Sequence, residues 1–222
     1  MKVTIVKKIG HYLFYLIELA VVIELYSTLQ NFYFYPSVFN FGHAEAFVLA
    51  FFTVLVFWFA SFLYKSQLAD KNEWGFNQPP YFSWWKLGVS ALGFLIMMAL
   101  YTLIMSVIGG GTSANQQDLD TLQQAAGPTY NVMVVFVGPV CEELIFRGFA
   151  INIFFNNKSR WVKWIAIVAS GFAFGYVHDP TFSPFLLVYW MMGCVLGWVY
   201  MTTRDLRYSM LTHIMWNTLS VI

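Results

Sequence analysis

Seven apolar runs, separated by short polar connections, constrain this chain more than any other feature. Runs 11–34, 45–64, 82–108, 130–155, 161–177, 182–202 and 208–222 have lengths suited to crossing a bilayer, the last being short. In hydrocarbon every backbone polar group must be satisfied within the chain, so helices are the expected form. Charged residues are only 10% of the 222, against about 25% in a soluble domain, which excludes a globular protein carrying one anchor. The sequence therefore predicts an all-α fold, a polytopic transmembrane helical bundle of about seven spans enclosing an intramembrane cavity. A single membrane domain is expected over 1–222. Residues 1–128 supply three spans and a lid-like loop, and 129–222 supply a core of four spans.

The connections test that count. Lys2, Lys7 and Lys8 precede the first run; Lys65, Lys71 and Lys86 surround the second connection. Lys158, Arg160 and Lys163 surround the fourth, and Arg204 and Arg207 the sixth, while the first, third and fifth contain no Lys or Arg. Every basic residue except Arg147 thus falls on one side, which places the N-terminus in the cytoplasm. The opening basic segment resembles a signal peptide, but its apolar run is long and lacks a small-residue cleavage site, so a retained span is expected. Between 109 and 128, Gly109-Gly110-Gly111 ends the third run, and Ser113 with Gln116 forms a capping pattern for a short helix. That helix reads as an ordered connector, with an interfacial lid as the alternative. Trp84, Trp85, Trp161, Trp164 and Trp198 read as an interfacial belt. The formal net charge of +1 implies no nucleic acid partner, and Cys141 and Cys194 suggest neither a disulfide framework nor metal-ligand spacing.

The fourth run contains what a membrane span should not. Glu142, Glu143 and Arg147 lie within one and a half turns of helix, where charges are costly and usually face a polar interior. Adjacent glutamates project about 100° apart, so they serve different purposes. Arg147 stands four residues after Glu143, the favourable spacing for an ion pair, which leaves Glu142 without a local countercharge. An unpaired, desolvated carboxylate suits general acid–base chemistry. Pro139 beside Gly138 predicts a break in the helix nearby. Later runs add Phe174 and His178 one turn apart, then His213 and Asn217 at the same spacing on one face. Counted along straight helices, Glu142 and His178 lie at roughly 22 and 25 Å from the basic side, but His213 and Asn217 at only roughly 10 and 16 Å. Glu18 and Glu24 in the first run have no role in this scheme beyond a cavity wall or a pairing with a neighbouring helix.

Taken together, Glu142-Glu143-x-x-x-Arg147, Phe174-x-x-x-His178 and His213-x-x-x-Asn217 resemble the three motifs of the CAAX protease and bacteriocin-processing (CPBP, or Abi) family, which includes the type II CAAX prenyl endopeptidases. The resemblance covers 138–217, and the first three spans carry no match. It implies that Glu142 and His178 activate a water, that His213 and Asn217 bind the oxyanion, and that Glu143, Arg147 and Phe174 support them. The implied reaction is hydrolysis of a peptide bond within the membrane by a glutamate-type endopeptidase, without an acyl-enzyme or cofactor. Membrane lipids and a lipophilic or membrane-bound peptide are the implied partners, with bacteriocin or signal-peptide processing or self-immunity as settings and a bacterial plasma membrane as the location. On ligand types alone, Glu142, His178 and His213 could also form a zinc site, although no HExxH is present. The rival readings are a non-catalytic immunity or interaction protein and a proton-coupled transporter. The latter lacks repeat symmetry or a pair of broken half-helices.

Overall fold

A computed structural model describes residues 2–39 and 42–221; the side chains of 2–8, Ser37 and Ala125, and the end of the last run at Ile222, lie outside what it describes. The basic side chains of Lys2, Lys7 and Lys8 are therefore not placed. Among the described residues all regular structure is helical. In chain order the helices are α1 (Lys2–Phe34), α2 (Glu45–Asp70), α3 (Trp84–Ile108) and α4 (Ala114–Ala126). Then come α5, a continuous helical stretch over 128–154, α6 (Arg160–His178), α7 (Phe185–Thr203) and α8 (Leu206–Leu219). Each of the seven apolar runs is thus helical among the described residues, with α4 and the short helix Pro36–Phe39 in the connections. Stretches Ile9–Phe34, Gly42–Asp70, Trp84–Ile108 and Phe185–Thr203 are long and apolar enough to cross a membrane. The chain is an integral membrane protein.

Local signals set the boundaries. α3 ends at Gly109, whose φ of +83° is the left-handed conformation glycine adopts without a steric penalty. Ser113 opens α4 as expected, its Oγ accepting from the Gln116 amide at 3.1 Å. Asp205 opens α8 in the same way, accepting from the Arg207 amide at 3.2 Å. The connections that carry the basic residues meet at one end of the bundle. Asn156 Nδ2 donates to Lys71 O, Trp74 Nε1 to Phe155 O, and the Asn77 amide to Arg204 O. At the other end Thr129 Oγ1 donates to Tyr33 O, and Ser113 hydrogen-bonds Tyr189. This alternation of ends is what the distribution of Lys and Arg predicts.

Packing is tightest between α6 and α7. A Cβ on Gly171 would lie 2.7 Å from the Cys194 backbone nitrogen, and one on Gly193 would lie 2.7 Å from Gly171 Cα, so both positions require glycine. The close approach turns the Gly193 carbonyl toward α5, where Arg147 uses it. Buried apolar side chains form one large cluster among α1, α2, α5 and α6, and a smaller one between α3 and α7 around Met97, Val195 and Leu196. Of the belt tryptophans, Trp84, Trp85, Trp161 and Trp164 are exposed and Trp198 is half-buried. Glu18 is buried and accepts from Gln67 Nε2 of α2 at 2.7 Å, a pairing between neighbouring helices, whereas Glu24 is exposed.

Candidate active site

The break expected at Pro139 takes the form of two π-helical turns, Met133–Val137 and Leu144–Phe149, on either side of α-helical Gly138–Glu143. In the first turn the Gly138 amide bonds Met133 O, five residues back. The next such bond would run from residue 139 to Val134 O, and proline has no N–H to make it. The Val134 carbonyl is instead taken by Asn217 Nδ2 of α8 at 2.8 Å. In the second turn the Phe146 carbonyl accepts from Ser170 Oγ of α6 at 2.8 Å. Thus both irregular turns are held by side chains from other helices, and Glu142 and Glu143 are fixed between them.

The two glutamates diverge as their spacing requires. Glu143 Oε1 accepts from Arg147 Nη1 at 2.9 Å, and Arg147 Nη2 donates to Gly193 O at 2.8 Å. Both side chains are 0% exposed. The guanidinium carbon also sits 4.8 Å from the centre of the Phe174 ring, a cation–π contact. Glu142, at 15% side-chain exposure, points into a cavity of ≈ 460 Å³. Its Oε2 lies 3.9 Å from His178 Nε2 and 3.8 Å from His213 Nε2. Those separations are too long for direct hydrogen bonds and short enough for one bridging oxygen.

Each imidazole is oriented from behind. His178 Nδ1 is 2.8 Å from Phe174 O, and a carbonyl can only accept, so neutral His178 carries its proton on Nδ1 and presents a lone pair at Nε2. The ring lies 4.2 Å from Phe174 and 5.1 Å from Tyr189, centre to centre. Just beyond His178, Asp179 accepts from Thr181 and Ser183 and fixes the turn that ends α6. Burial acts to raise the Asp179 carboxyl, but those hydrogen bonds outweigh it and hold the group below the ordinary carboxylate range. His213 Nδ1 is 3.1 Å from Glu143 Oε1, so Glu143 links Arg147 to an imidazole of the cavity wall. Glu142, His178, His213, Asn217 and Phe174 all line the same cavity, with Glu143 and Arg147 behind it.

The structure corrects the depth count for α8. His213 reaches Glu142, with Nε2 3.8 Å from Glu142 Oε2, and Asn217 lines the same cavity; Leu206, from which the depth was counted, is itself buried. Counting from its first residue as if from the surface underestimates the depth. Helix α4 roofs the cavity through Asn115, Gln116 and Leu119. Tyr26 of α1, which donates to Glu142 Oε1 at 2.6 Å, carries no sequence signal in a chain where 20% of residues are aromatic. Among the described residues no group of three His, Cys, Asp or Glu side chains is arranged to hold a metal ion.

Comparison with known proteins finds one family and several relatives. Residues 126–219 match the Rce1-like family, described as type II CAAX prenyl endopeptidase Rce1-like. The chain is 25% identical over 159 residues to the UPF0177 protein YvdC of Lactococcus lactis, covering 71% of this chain and 58% of that protein. It is 28% identical over 140 residues to the membrane-embedded CAAX protease MroQ of Staphylococcus aureus, covering 59% of this chain and 55% of that one. The chain thus spans somewhat over half the length of these relatives. No solved structure matches significantly. Every residue of the three motifs falls inside 126–219, the stretch of this integral membrane protein that is similar to the type II CAAX prenyl endopeptidase Rce1-like family.

Proposed function

We propose that the chain is an intramembrane endopeptidase that hydrolyses a peptide bond in a membrane-associated or lipophilic peptide. One observation carries the reading: Glu142 Oε2 faces the Nε2 atoms of two imidazoles at 3.9 and 3.8 Å within a walled cavity. A water bound among them gives one proton to Glu142 and is held by the Nε2 lone pair of His178, and its oxygen attacks the carbonyl carbon. The oxyanion that forms is met by the free N–H of the Asn217 amide and by Nε2 of protonated His213, whose Nδ1–H is held by Glu143. Glu142 then passes its proton to the leaving nitrogen as the C–N bond breaks. Glu143, itself paired with Arg147, holds the His213 ring in place through Nδ1. The distribution of Lys and Arg supports a cytoplasmic N-terminus, and the bacterial origin of the relatives supports a bacterial plasma membrane.

The test is cleavage of a lipophilic reporter peptide by purified protein in detergent or vesicles, comparing wild type with E142Q. Cleavage by wild type that E142Q loses is the expected result; equal cleavage by both removes Glu142 as the base. A chelator arm separates the two chemistries. A rate unaffected by chelator supports water held by Glu142 and His178 alone. Loss that zinc restores assigns Glu142, His178 and His213 to a metal. Wild type that cleaves nothing supports a non-catalytic membrane role.

A further inference from the structure

We propose that Tyr26, on α1 and outside the matched stretch 126–219, is a positioning residue for Glu142, with Gln30 orienting its hydroxyl. The proposal rests on Glu142 being the base. Its carboxylate has two oxygens with separate surroundings. Oε1 accepts from the Tyr26 hydroxyl at 2.6 Å, and Oε2 alone faces the two imidazoles. Gln30 Nε2, one turn further along α1, donates to the Tyr26 oxygen at 3.1 Å. That bond occupies a lone pair of the phenol and leaves its proton for Glu142. The result is a one-way chain, Gln30 to Tyr26 to Glu142, which fixes the rotation of the carboxylate and selects the oxygen that takes the proton.

The surroundings are shaped for this contact. Tyr26 is 9% exposed and packs in the large apolar cluster, so its ring is held independently of the hydroxyl. Gly138 lies under the hydrogen bond. A Cβ there would sit 3.1 Å from Met133 O, 3.4 Å from the Tyr26 oxygen and 3.7 Å from Glu142 Oε1. Only a residue without a side chain leaves this passage uncrowded. Catalysis is sensitive to misplacement of a reacting group by about 1 Å, so a carboxylate free to rotate is a poorer base even where its surroundings are intact.

Y26F keeps the ring and removes the hydroxyl, and Q30M keeps the length of the side chain and removes the donor. Reporter-peptide kinetics on the full chain should show Y26F lowering kcat by about 10- to 100-fold with KM unchanged, as for loss of a hydrogen bond to a charged group. Q30M should lower kcat by less, and the double variant should be no slower than Y26F, because the two residues act through one contact. A structural role would raise KM or multiply the two losses, and either result overturns the proposal. So does wild-type kcat in Y26F. Inactive E142Q alongside fully active Y26F overturns the positioning role alone; wild type that cleaves nothing overturns it together with the protease reading.

Discussion

The three N-terminal apolar helices and α7 are built by different rules. In the apolar windows of α1, α2 and α3, 22%, 22% and 17% of residues are buried, whereas half of the α7 window is. The N-terminal helices present most of their side chains outward and contribute a wall. In the C-terminal helices glycines bring the backbones together, so that carbonyls and side chains can neutralise Glu143 and Arg147. Charge is tolerated where helices approach closely enough to supply partners for it. That is why every candidate side chain of the three motifs lies in α5, α6 and α8, and why α1 enters the site only through Tyr26 and its neighbours.

Substitutions break this contrast in a graded way. The largest effect is expected on activity: E142Q should reduce reporter cleavage by about 10²–10⁴-fold while the thermal midpoint stays near that of wild type. Next is R147M, which strands a fully buried glutamate. A loss of about 3–5 kcal/mol is expected, read from the unfolding midpoint in detergent. G171A forces a methyl group against the Cys194 backbone at 2.7 Å, and should cost about 1–3 kcal/mol in the same measurement. The smallest effect is expected in the outward wall. L103A on α3, an exposed position, should change stability by no more than about 0.5 kcal/mol. A large loss there would mean that α3 is covered by something other than lipid.

Much of this was legible because hydrocarbon leaves little freedom. The apolar runs gave the helices, and the i, i+4 spacing gave the Glu143–Arg147 pair that the structure closes at 2.9 Å. The 100° offset of adjacent residues correctly sent Glu142 and Glu143 to different partners. What stayed hidden depends on where a helix begins or on atoms without a side-chain signature. The level of His213 could not be counted from Leu206 as if that residue lay at the surface, since it is buried. Tyr26 looks like any other aromatic of a membrane wall until its hydroxyl is placed against Glu142. The π-helical turns leave a trace in Pro139, but nothing in the sequence says which distant donor serves the carbonyl that proline leaves open.

That last arrangement has a mechanical consequence. The amide of Asn217 plugs a gap in the backbone of another helix, so the end of α8 is pinned to the one register in which Val134 stands opposite it. Sliding α8 by a single turn would take the Asn217 donor away from the Val134 carbonyl at the cavity wall, leaving a backbone acceptor without its partner in the chain. The ring of Pro139 thereby acts as an alignment pin, set in one helix and felt by its neighbour.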